Sequence, residues 1–210
     1  MSDVLEDITV FDFETSGLDP LKERVIEMAA IRVVNGITVS GFSTFVKYDG
    51  VLEPKITELT GITDADLVGG MEEKTAFLCL RHIMGPSSLL VAHNAAFDLQ
   101  FLHRAMFRLA NKTFANPFID TLTIARDRTT YPHTLTDMCQ KYGVELNGAH
   151  RALADVEGTL AILQAMHAEL PVHDYVNRLG YMKKYGPPAW APQHAELIPM
   201  TLKYEGRKAI

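Results

Sequence analysis

FDFETSGLDP, residues 11–20, follows an apolar run at residues 8–10 and places two carboxylates, Asp12 and Glu14, where a buried strand should end. Residues two apart on a strand share a face, so the two acids lie together, roughly 6–7 Å apart, while the two phenylalanines face the core. A buried carboxylate without a partner is costly. Either the strand end reaches solvent, where charges cost little, or another group compensates them.

The composition indicates a soluble globular protein with one core and an extension, since 47% of its 210 residues are hydrophobic and 22% are charged. No run approaches the roughly 18 apolar residues of a membrane span. The acidic start, MSDVLEDITV, lacks the layout of a secretion signal. Cys79 and Cys139 stand outside any metal-binding motif, which favours a reducing cytoplasm over a zinc site or disulfide framework.

Charge is unevenly distributed along the chain. The net charge of −6 argues against a protein that grips nucleic acid through a basic face. Residues 171–210, however, carry six basic and three acidic side chains, so this part is +3 and the remainder is −9.

The order of predicted elements indicates an α/β layer fold with a mixed sheet, because three strands come first and helices then alternate with strands. Asn35-Gly36 is a strong hairpin signal between the second and third strands. After the strand that ends near Glu14, we expect strands at residues 25–34, 37–46, 89–92 and 118–120. We expect helices near residues 72–84, 95–109 and 153–167, helical pieces at 53–70, two short helices before Gly143, and one helix at 172–184.

A third carboxylate, Asp98, lies on the apolar stripe of the helix predicted at residues 95–109. Positions 98, 101, 102, 105 and 109 share one helical face. Because this helix follows a strand, Asp98 arrives at the same edge of the sheet as the first two acids. An acid in the first turn can also interact favourably with the positive end of the helix dipole or cap the helix, so a purely structural role for Asp98 stays open.

HRALADVEG, residues 150–158, adds a fourth acid and a histidine. Five residues separate His150 from Asp155, about 140° around a helix, so both face one site only if His150 lies in the loop before the helix. A loop histidine beside carboxylates is placed to accept a proton near neutral pH. The alternative is a solvent-exposed histidine without a role.

Four converging acids cannot all stay ionised unless cations join them. All-oxygen ligation suits Mg²⁺ or Mn²⁺, and two such ions about 3.5–4 Å apart are the usual arrangement for phosphodiester cleavage. Divalent ions are therefore expected to compensate Asp12 and Glu14. Bound cations would also reverse the local field that a phosphate backbone meets.

Three motifs make the chain resemble the DEDDh 3′→5′ exonucleases. They are D-x-E-T-x-G-L at residues 12–18, A-H-N-A-x-F-D at 92–98 and H-R-A-x-x-D at 150–155. I-T-E-L-T-G-I-T at 56–63, I-D-T-L at 119–122 and Y-G-V at 142–144 extend the similarity, which covers about residues 7–168. The sequences of these motifs most resemble those of proofreading exonuclease domains of bacterial replicative polymerases, including the polymerase III epsilon type.

The resemblance implies an RNase H-like fold, with a five-stranded mixed sheet flanked by helices in an exonuclease domain at residues 1–170 and a C-terminal extension at 171–210. It implies that His150 is the general base and that the metal ligands are Asp12, Glu14, Asp98 and Asp155. Asp12 would bridge both ions, Glu14 and Asp155 would hold the nucleophile-side ion, and Asp98 would support the other.

The resemblance further implies contacts to the terminal nucleotide from Thr15, Gly17, Leu18, Thr60 and Phe97. A glycine lets the backbone approach a phosphate, and Leu18 and Phe97 offer stacking surfaces. For Leu18 and Phe97 the alternative is core packing. His93 and Asn94 either orient catalytic groups or are hydrogen-bonded core residues, which we favour for His93.

The expected function is a metal-dependent 3′→5′ exonuclease that releases nucleoside 5′-monophosphates from single-stranded or frayed 3′ ends of DNA. It would act as a separate subunit of a DNA polymerase or as a free-standing nuclease. One alternative is an exoribonuclease that trims RNA ends. Another is a non-catalytic module that binds nucleic acid or a polymerase, although four acids facing a polyanion argue against it.

The C-terminal extension carries RLGYMKKYGPPAWAP, residues 178–192, in which basic and aromatic side chains alternate. This composition suits single-stranded nucleic acid or a partner's groove. The alternative, which we favour, is an extension that packs on its own domain with Trp190 as the anchor.

Overall fold

A five-stranded mixed sheet forms the centre of the molecule, in the order β3-β2-β1-β4-β5. The computed structural model describes residues 3–146 and 148–204. The Asn35-Gly36 turn has φ of 51° and 76°, the left-handed geometry of a two-residue hairpin. The arrangement confirms the predicted α/β class. The antiparallel strands are β1 (Asp7–Thr15), β2 (Val25–Val34) and β3 (Ile37–Phe45), and β4 (Leu89–Ala92) and β5 (Phe118–Asp120) continue the sheet in parallel with β1.

Seven α-helices flank this sheet in the described part of the chain, and their positions confirm the predicted helices before residue 170. In that part, no helix combines the length and apolar character needed to cross a membrane. The helices are α1 (Pro54–Thr60), α2 (Asp64–Val68), α3 (Glu73–Met84), α4 (Ala95–Ala110), α5 (Thr121–Arg128), α6 (Leu135–Tyr142) and α7 (Ala152–Glu169).

The two faces of β1 pack against different helices. Phe11 and Phe13 are buried with residues of α3 and α4, such as Leu80 and Leu99. Ile8 and Val10 point the other way, into a second cluster that includes residues of α7. Since side chains alternate along a strand, Asp12 and Glu14 continue the row that faces α7. The strand's own alternation thus directs both acids toward the helix that carries Asp155.

Asp120, the last residue of β5, joins two helix N-termini. Its carboxylate accepts hydrogen bonds from the backbone N–H groups of Asn94 and Ala95, both at 3.0 Å, where α4 begins. It also accepts from the N–H groups of Leu122 and Thr123, both at 3.2 Å, and from the Thr123 hydroxyl at 2.6 Å, where α5 begins. Such bonds satisfy N–H groups that a helix leaves unpaired. One buried carboxylate therefore fixes the starts of α4 and α5.

The helix predicted at residues 172–184 is wrong. The chain instead makes a 3₁₀ turn at His173–Tyr175 and the strand β6 (Arg178–Met182), which pairs in parallel with β7 (Glu196–Met200). Tertiary hydrogen bonds explain the extended backbone, because Gly180 donates to the Thr123 hydroxyl at 2.7 Å and accepts from Arg126 at 2.9 Å. Both partners lie on α5, so no local pattern could reveal them.

Residues 178–200 pack on the rest of the chain. Leu179 is buried in the same cluster as Phe11. The Trp190 indole stacks on the His103 ring of α4, with centroids 4.1 Å apart and planes 14° apart, and meets Phe114 edge-on at 6.1 Å. Trp190 therefore occupies the anchoring position that the packing interpretation predicts.

Candidate active site

A cavity of about 570 Å³ opens at the carboxyl ends of β1 and β4. This is the edge at which open α/β sheets place their ligands, and the volume is in the range of small-molecule sites. Its wall includes all five residues that the sequence predicts as catalytic: Asp12, Glu14, Asp98, His150 and Asp155.

Backbone N–H groups orient two of the four acids. Asp98 is buried in the first turn of α4, and its Oδ1 accepts from the N–H of Phe13 at 3.2 Å. That N–H lies beyond Val10, the last residue of β1 that pairs with β4. Asp155 Oδ2 accepts from the N–H of His150, also at 3.2 Å. These bonds tie α4 to the end of β1, and α7 to the loop that precedes it.

His150 is exposed and lies in the loop before α7, as its spacing from Asp155 requires. Its φ of 63° is a conformation that few non-glycine residues adopt, so the loop turns sharply there. One ligand atom each from Glu14, His150 and Asp155 lie within 4.8 Å of one another. The imidazole is thus within reach of the carboxylates rather than isolated in solvent.

The four acids share an environment that disfavours negative charge. Burial raises the pKa of Asp12 well above its ordinary value, and the charges of Asp98, Asp155 and Glu14 raise it further. Burial also raises the pKa of Asp98, against the opposing effect of backbone hydrogen bonds. The pKa of Glu14 rises to about 8, first through burial and then through Asp155 and Glu27. Burial likewise raises the pKa of Asp155.

This donor set fits a divalent cation. Asp155 Oδ1 is buried and has no hydrogen-bond partner among the described residues, an uncommon state for a carboxylate oxygen. Carboxylate oxygens are ligands that suit Mg²⁺ and Mn²⁺. A cation among these oxygens would supply the missing partner and favour the ionised carboxylates, against the burial and neighbouring charges that raise the four pKa values.

A fifth acid, Glu27 of β2, lies opposite Glu14 in the sheet and is buried. It accepts from Arg151 Nε at 3.2 Å and Nη2 at 3.0 Å, and from the N–H of Ala152 at 3.2 Å, at the start of α7. Arg151 also lies over the Phe45 ring, 5.3 Å from its centroid. Glu27 therefore attaches the start of α7, and with it the His150 loop, to the sheet.

Four of the five predicted nucleotide contacts line the cavity: Thr15, Leu18, Thr60 and Phe97. Leu18 is 80% exposed, so it is not a core residue. Phe97 packs partly on the core and contacts the Phe101 ring at 4.9 Å. The Thr15 hydroxyl donates to the Gly17 carbonyl at 2.7 Å, and that of Thr60 to the Ile56 carbonyl at 2.9 Å. Both hydroxyls thus already bind backbone.

Gly17 does not appear in the cavity wall as the described residues form it. A Cβ at this position would lie 2.8 Å from the side chain of Glu23. A glycine here leaves room for Glu23, which accepts from the Ser16 hydroxyl at 2.7 Å.

His93 and Asn94 both line the cavity and are both bound by the protein. The His93 ring contacts the Thr121 hydroxyl at 2.9 Å and the His133 carbonyl at 3.0 Å. This is the hydrogen-bonded role favoured for His93. Asn94 precedes α4 in a left-handed conformation, with φ of 70°, and its N–H donates to Asp120.

Sequence reasoning missed several residues of the cavity wall. Arg126 lies one helical turn after Leu122 on α5, and both line the cavity, so the helical period after I-D-T-L was an available signal. Tyr131 and His133 come from the loop after α5, and Leu202 comes from the segment after β7. No sequence pattern marked these three, because tertiary contacts alone bring their segments to the cavity.

Comparison with known proteins identifies one exonuclease family and a group of polymerase relatives. The family model RNase_T, described as an exonuclease, matches residues 9–163. DNA polymerase III PolC-type of Halalkalibacterium halodurans is 37% identical over 180 residues, which cover 81% of this chain and 12% of that protein. The PolC-type polymerase of Bacillus subtilis is 36% identical over 204 residues, covering 92% and 14%. The chain thus spans about one-eighth of the length of the curated relatives that it matches.

Solved structures confirm the fold. E. coli exonuclease I, in a zinc-bound complex with single-stranded DNA, superimposes with a TM-score of 0.71 at 21% identity, over 79% of this chain and 41% of that chain. Exonuclease I from Methylocaldum szegediense gives a TM-score of 0.68 at 21% identity, over 79% and 41%. At this identity the likeness concerns architecture alone, and it confirms the predicted RNase H-like exonuclease fold.

Proposed function

Since the chain belongs to the RNase_T exonuclease family, we propose that it is a metal-dependent 3′→5′ exonuclease that hydrolyses the terminal phosphodiester of DNA and releases nucleoside 5′-monophosphates. The observation that carries the proposal is the convergence of four carboxylates with raised pKa values and one loop histidine on a single cavity. Raised pKa values clustered in a cleft are typical of functional sites.

Asp12, Glu14, Asp98 and Asp155 would hold two divalent ions, Mg²⁺ or Mn²⁺. When bound, such ions lower the pKa of water and stabilise the charge that develops on the leaving oxygen. The hydrogen bond from Phe13 to Asp98 and that from His150 to Asp155 orient these two ligands before any ion arrives. Orientation by neighbouring groups strengthens a ligand set of this kind.

His150 is the proposed general base. Its ring reaches the Glu14 and Asp155 carboxylates within 4.8 Å, and its exposure leaves it open to solvent. The imidazole would accept the proton of the attacking water and pass it to bulk solvent.

Substrate contacts in the proposed complex come mainly from apolar surface. Leu18, Leu59 and Phe97 line the cavity and would pack on the terminal base and sugar. Contacts to a base face are tolerant of sequence, as an exonuclease requires.

The likeness to PolC-type polymerases supports DNA as the substrate and a DNA polymerase as the functional partner. Free thiols at Cys79 and Cys139 support a cytoplasmic location.

The test is digestion of a 5′-labelled single-stranded DNA oligonucleotide with Mg²⁺, Mn²⁺ or EDTA, beside an RNA strand of the same sequence. We expect a ladder that shortens from the 3′ end with either metal and is absent in EDTA. Asp12→Asn and Asp98→Asn should reduce the rate by at least about 1,000-fold, because each removes a proposed ligand. Asp174→Asn, a change at an exposed acid outside the cavity wall, is the matched control.

Each outcome assigns a function. Faster digestion of DNA supports the proposal, and faster digestion of RNA would replace it with an exoribonuclease. Products that shorten from the 5′ end, or equal rates in Asp12→Asn and wild type, would refute the assigned chemistry. Absence of cleavage with either metal on either strand would leave a binding module.

A further inference from the structure

Three side chains of the C-terminal extension and Tyr131, from the loop after α5, form a group of three aromatic residues and one lysine, and Tyr131 lies in the cavity wall. We call Tyr131, Lys184, Tyr185 and Tyr204 the tyrosine patch. The three tyrosines are 52%, 75% and 46% exposed, respectively. Three exposed aromatic rings beside a cleft are unusual, since most large aromatic side chains are substantially buried.

Backbone and ring contacts hold the patch together. The N–H of Tyr131 donates to the Lys203 carbonyl at 2.8 Å, which fixes the segment after β7 alongside Tyr131. The rings of Tyr131 and Tyr204 are 5.8 Å apart. Lys184 Nζ lies 4.4 Å from the centroid of the Tyr185 ring, and the pKa of Lys184 is raised first by Tyr185 and to a smaller extent by the nearby Tyr204 and Tyr131. The four side chains therefore form one surface.

This surface is continuous with the proposed catalytic cavity. Tyr131 belongs to the cavity wall together with the four acids, and so does Leu202 from the segment that Tyr131 fixes. A strand whose 3′ end reaches the acids must leave the cavity, and Tyr131 connects the cavity wall to the rest of the patch. The extension, which lies outside residues 9–163, thus adds to a cavity whose acids all belong to the family match.

Charge distribution favours a nucleic-acid strand on this surface. In the described part of the extension, residues 171–204, four basic side chains stand against two acidic ones, so this surface can attract backbone phosphates upstream of the cavity. Lys184 is exposed and lies beside the Tyr185 ring, whereas Lys203 is held by the carbonyl and carboxylate of Asp127. Exposed aromatic rings interleaved with a lysine are the usual means of binding single strands without sequence preference.

We propose that the tyrosine patch is a binding subsite for single-stranded DNA a few nucleotides upstream of the 3′ terminus, where bases stack on Tyr131 and Tyr185 and Lys184 contacts the backbone. This inference rests on the proposed exonuclease function. It gives the extension a role in substrate length preference, in addition to its packing on the domain.

Length dependence is the direct test. Steady-state KM would be measured with Mg²⁺ for 5′-labelled oligothymidylates of 3 and 12 nucleotides. The wild type should have a KM at least about 10-fold lower for the longer strand, because one stacked base contributes about that factor or more. Tyr185→Leu and Lys184→Ala should each remove most of this advantage. Phe107→Leu and Lys112→Ala, exposed changes outside the cavity wall, should retain it.

Salt dependence separates the two kinds of contact. Binding of the 12-nucleotide strand in EDTA would be followed by fluorescein anisotropy between 50 and 200 mM KCl, about the range over which phosphate contacts are usually resolved. Lys184→Ala should reduce the slope of log K against log salt by about 0.7, the loss of one phosphate contact. Tyr185→Leu should weaken binding about 10-fold and leave the slope unchanged.

The outcomes distinguish this proposal from the function on which it rests. If the wild type cleaves DNA but the patch variants keep its length preference and salt slope, the subsite is refuted while the exonuclease stands, and the patch becomes a surface for another partner. If the wild type cleaves no strand, the proposed function fails, and the subsite proposal fails with it.

Discussion

Replacing Arg151 by methionine tests how the start of α7 is attached to the sheet. Arg151 donates two hydrogen bonds, at 3.2 and 3.0 Å, to the carboxylate of Glu27, whose side chain is only 4% exposed. The guanidinium side chain itself is 50% exposed. Arg151→Met leaves Glu27 buried with one remaining donor, the N–H of Ala152.

The expected cost follows from these exposures. Hydrogen bonds to a charged group contribute about 1.5–3 kcal/mol each, and removing one partner of a fully buried pair costs about 3–5 kcal/mol. Half exposure of the guanidinium places Arg151→Met near the lower limit, at about 3 kcal/mol. For a domain of this size each kcal/mol lowers Tm by about 2–4 °C, so the expected decrease is about 6–12 °C.

The assay is thermal and urea unfolding at pH 7, with Arg178→Met as the matched control. Arg178 pairs with Glu196 at 2.8 Å, but the two side chains are 39% and 62% exposed, so its loss should cost less than about 1 kcal/mol. A double-mutant cycle with Glu27→Gln should give a coupling of about 2 kcal/mol. A coupling below about 0.5 kcal/mol, or equal costs for the two arginines, would refute the assigned attachment.

Three further predictions concern the acids. In EDTA, Glu14 contributes stability that is complete below its ordinary pKa of 4.5 and is lost as pH rises through about 8. Urea unfolding should therefore show a decline between these values that Mg²⁺ abolishes, and a decline unchanged by Mg²⁺ would contradict ion binding there. Asp12→Asn should raise the Tm of the metal-free protein at pH 8 by about 5 °C, because it removes a buried carboxylate whose pKa is raised by burial and by neighbouring acids, and a lower Tm would contradict that description of the Asp12 environment. Asp120→Ala should cost about 3–4 kcal/mol in urea unfolding, since two helix starts lose their acceptor. Asp137→Ala should cost about 1 kcal/mol, because the half-buried Asp137 carboxylate accepts, among the described residues, only from Thr134, the N-cap residue of α6. Equal costs for these two variants would refute the double-capping role.

The periodic spacing of apolar residues along strands and helices made the central part of the fold predictable from the sequence. Alternation along β1 placed Asp12 and Glu14 on one face, and the 3.6-residue period placed Asp98 on the buried face of α4. The five-residue spacing of His150 and Asp155 required a loop, which the structure contains. In each case neighbouring residues in the sequence carry the information, so no tertiary contact had to be known.

Residues whose roles depend on distant partners were not predictable. Glu27 lies in the apolar run V-I-E-M-A-A, and its partner Arg151 is 124 residues away. Strand β6 forms because α5 offers Thr123 and Arg126 to Gly180, more than fifty residues apart in sequence. The place of Leu202 in the cavity wall likewise results from packing of the extension. Local sequence patterns do not indicate such tertiary contacts.

The stacking of Trp190 on His103 has a practical consequence. Trp190 is the single tryptophan of the chain, so its emission is not mixed with that of any other indole. The His103 ring, 4.1 Å away, shields the Trp190 indole from solvent on one face. Undocking of residues 178–200 would therefore shift the emission spectrum toward that of a solvated indole. Intrinsic tryptophan emission therefore reports whether the extension is docked in any variant, before a substrate or a label is added.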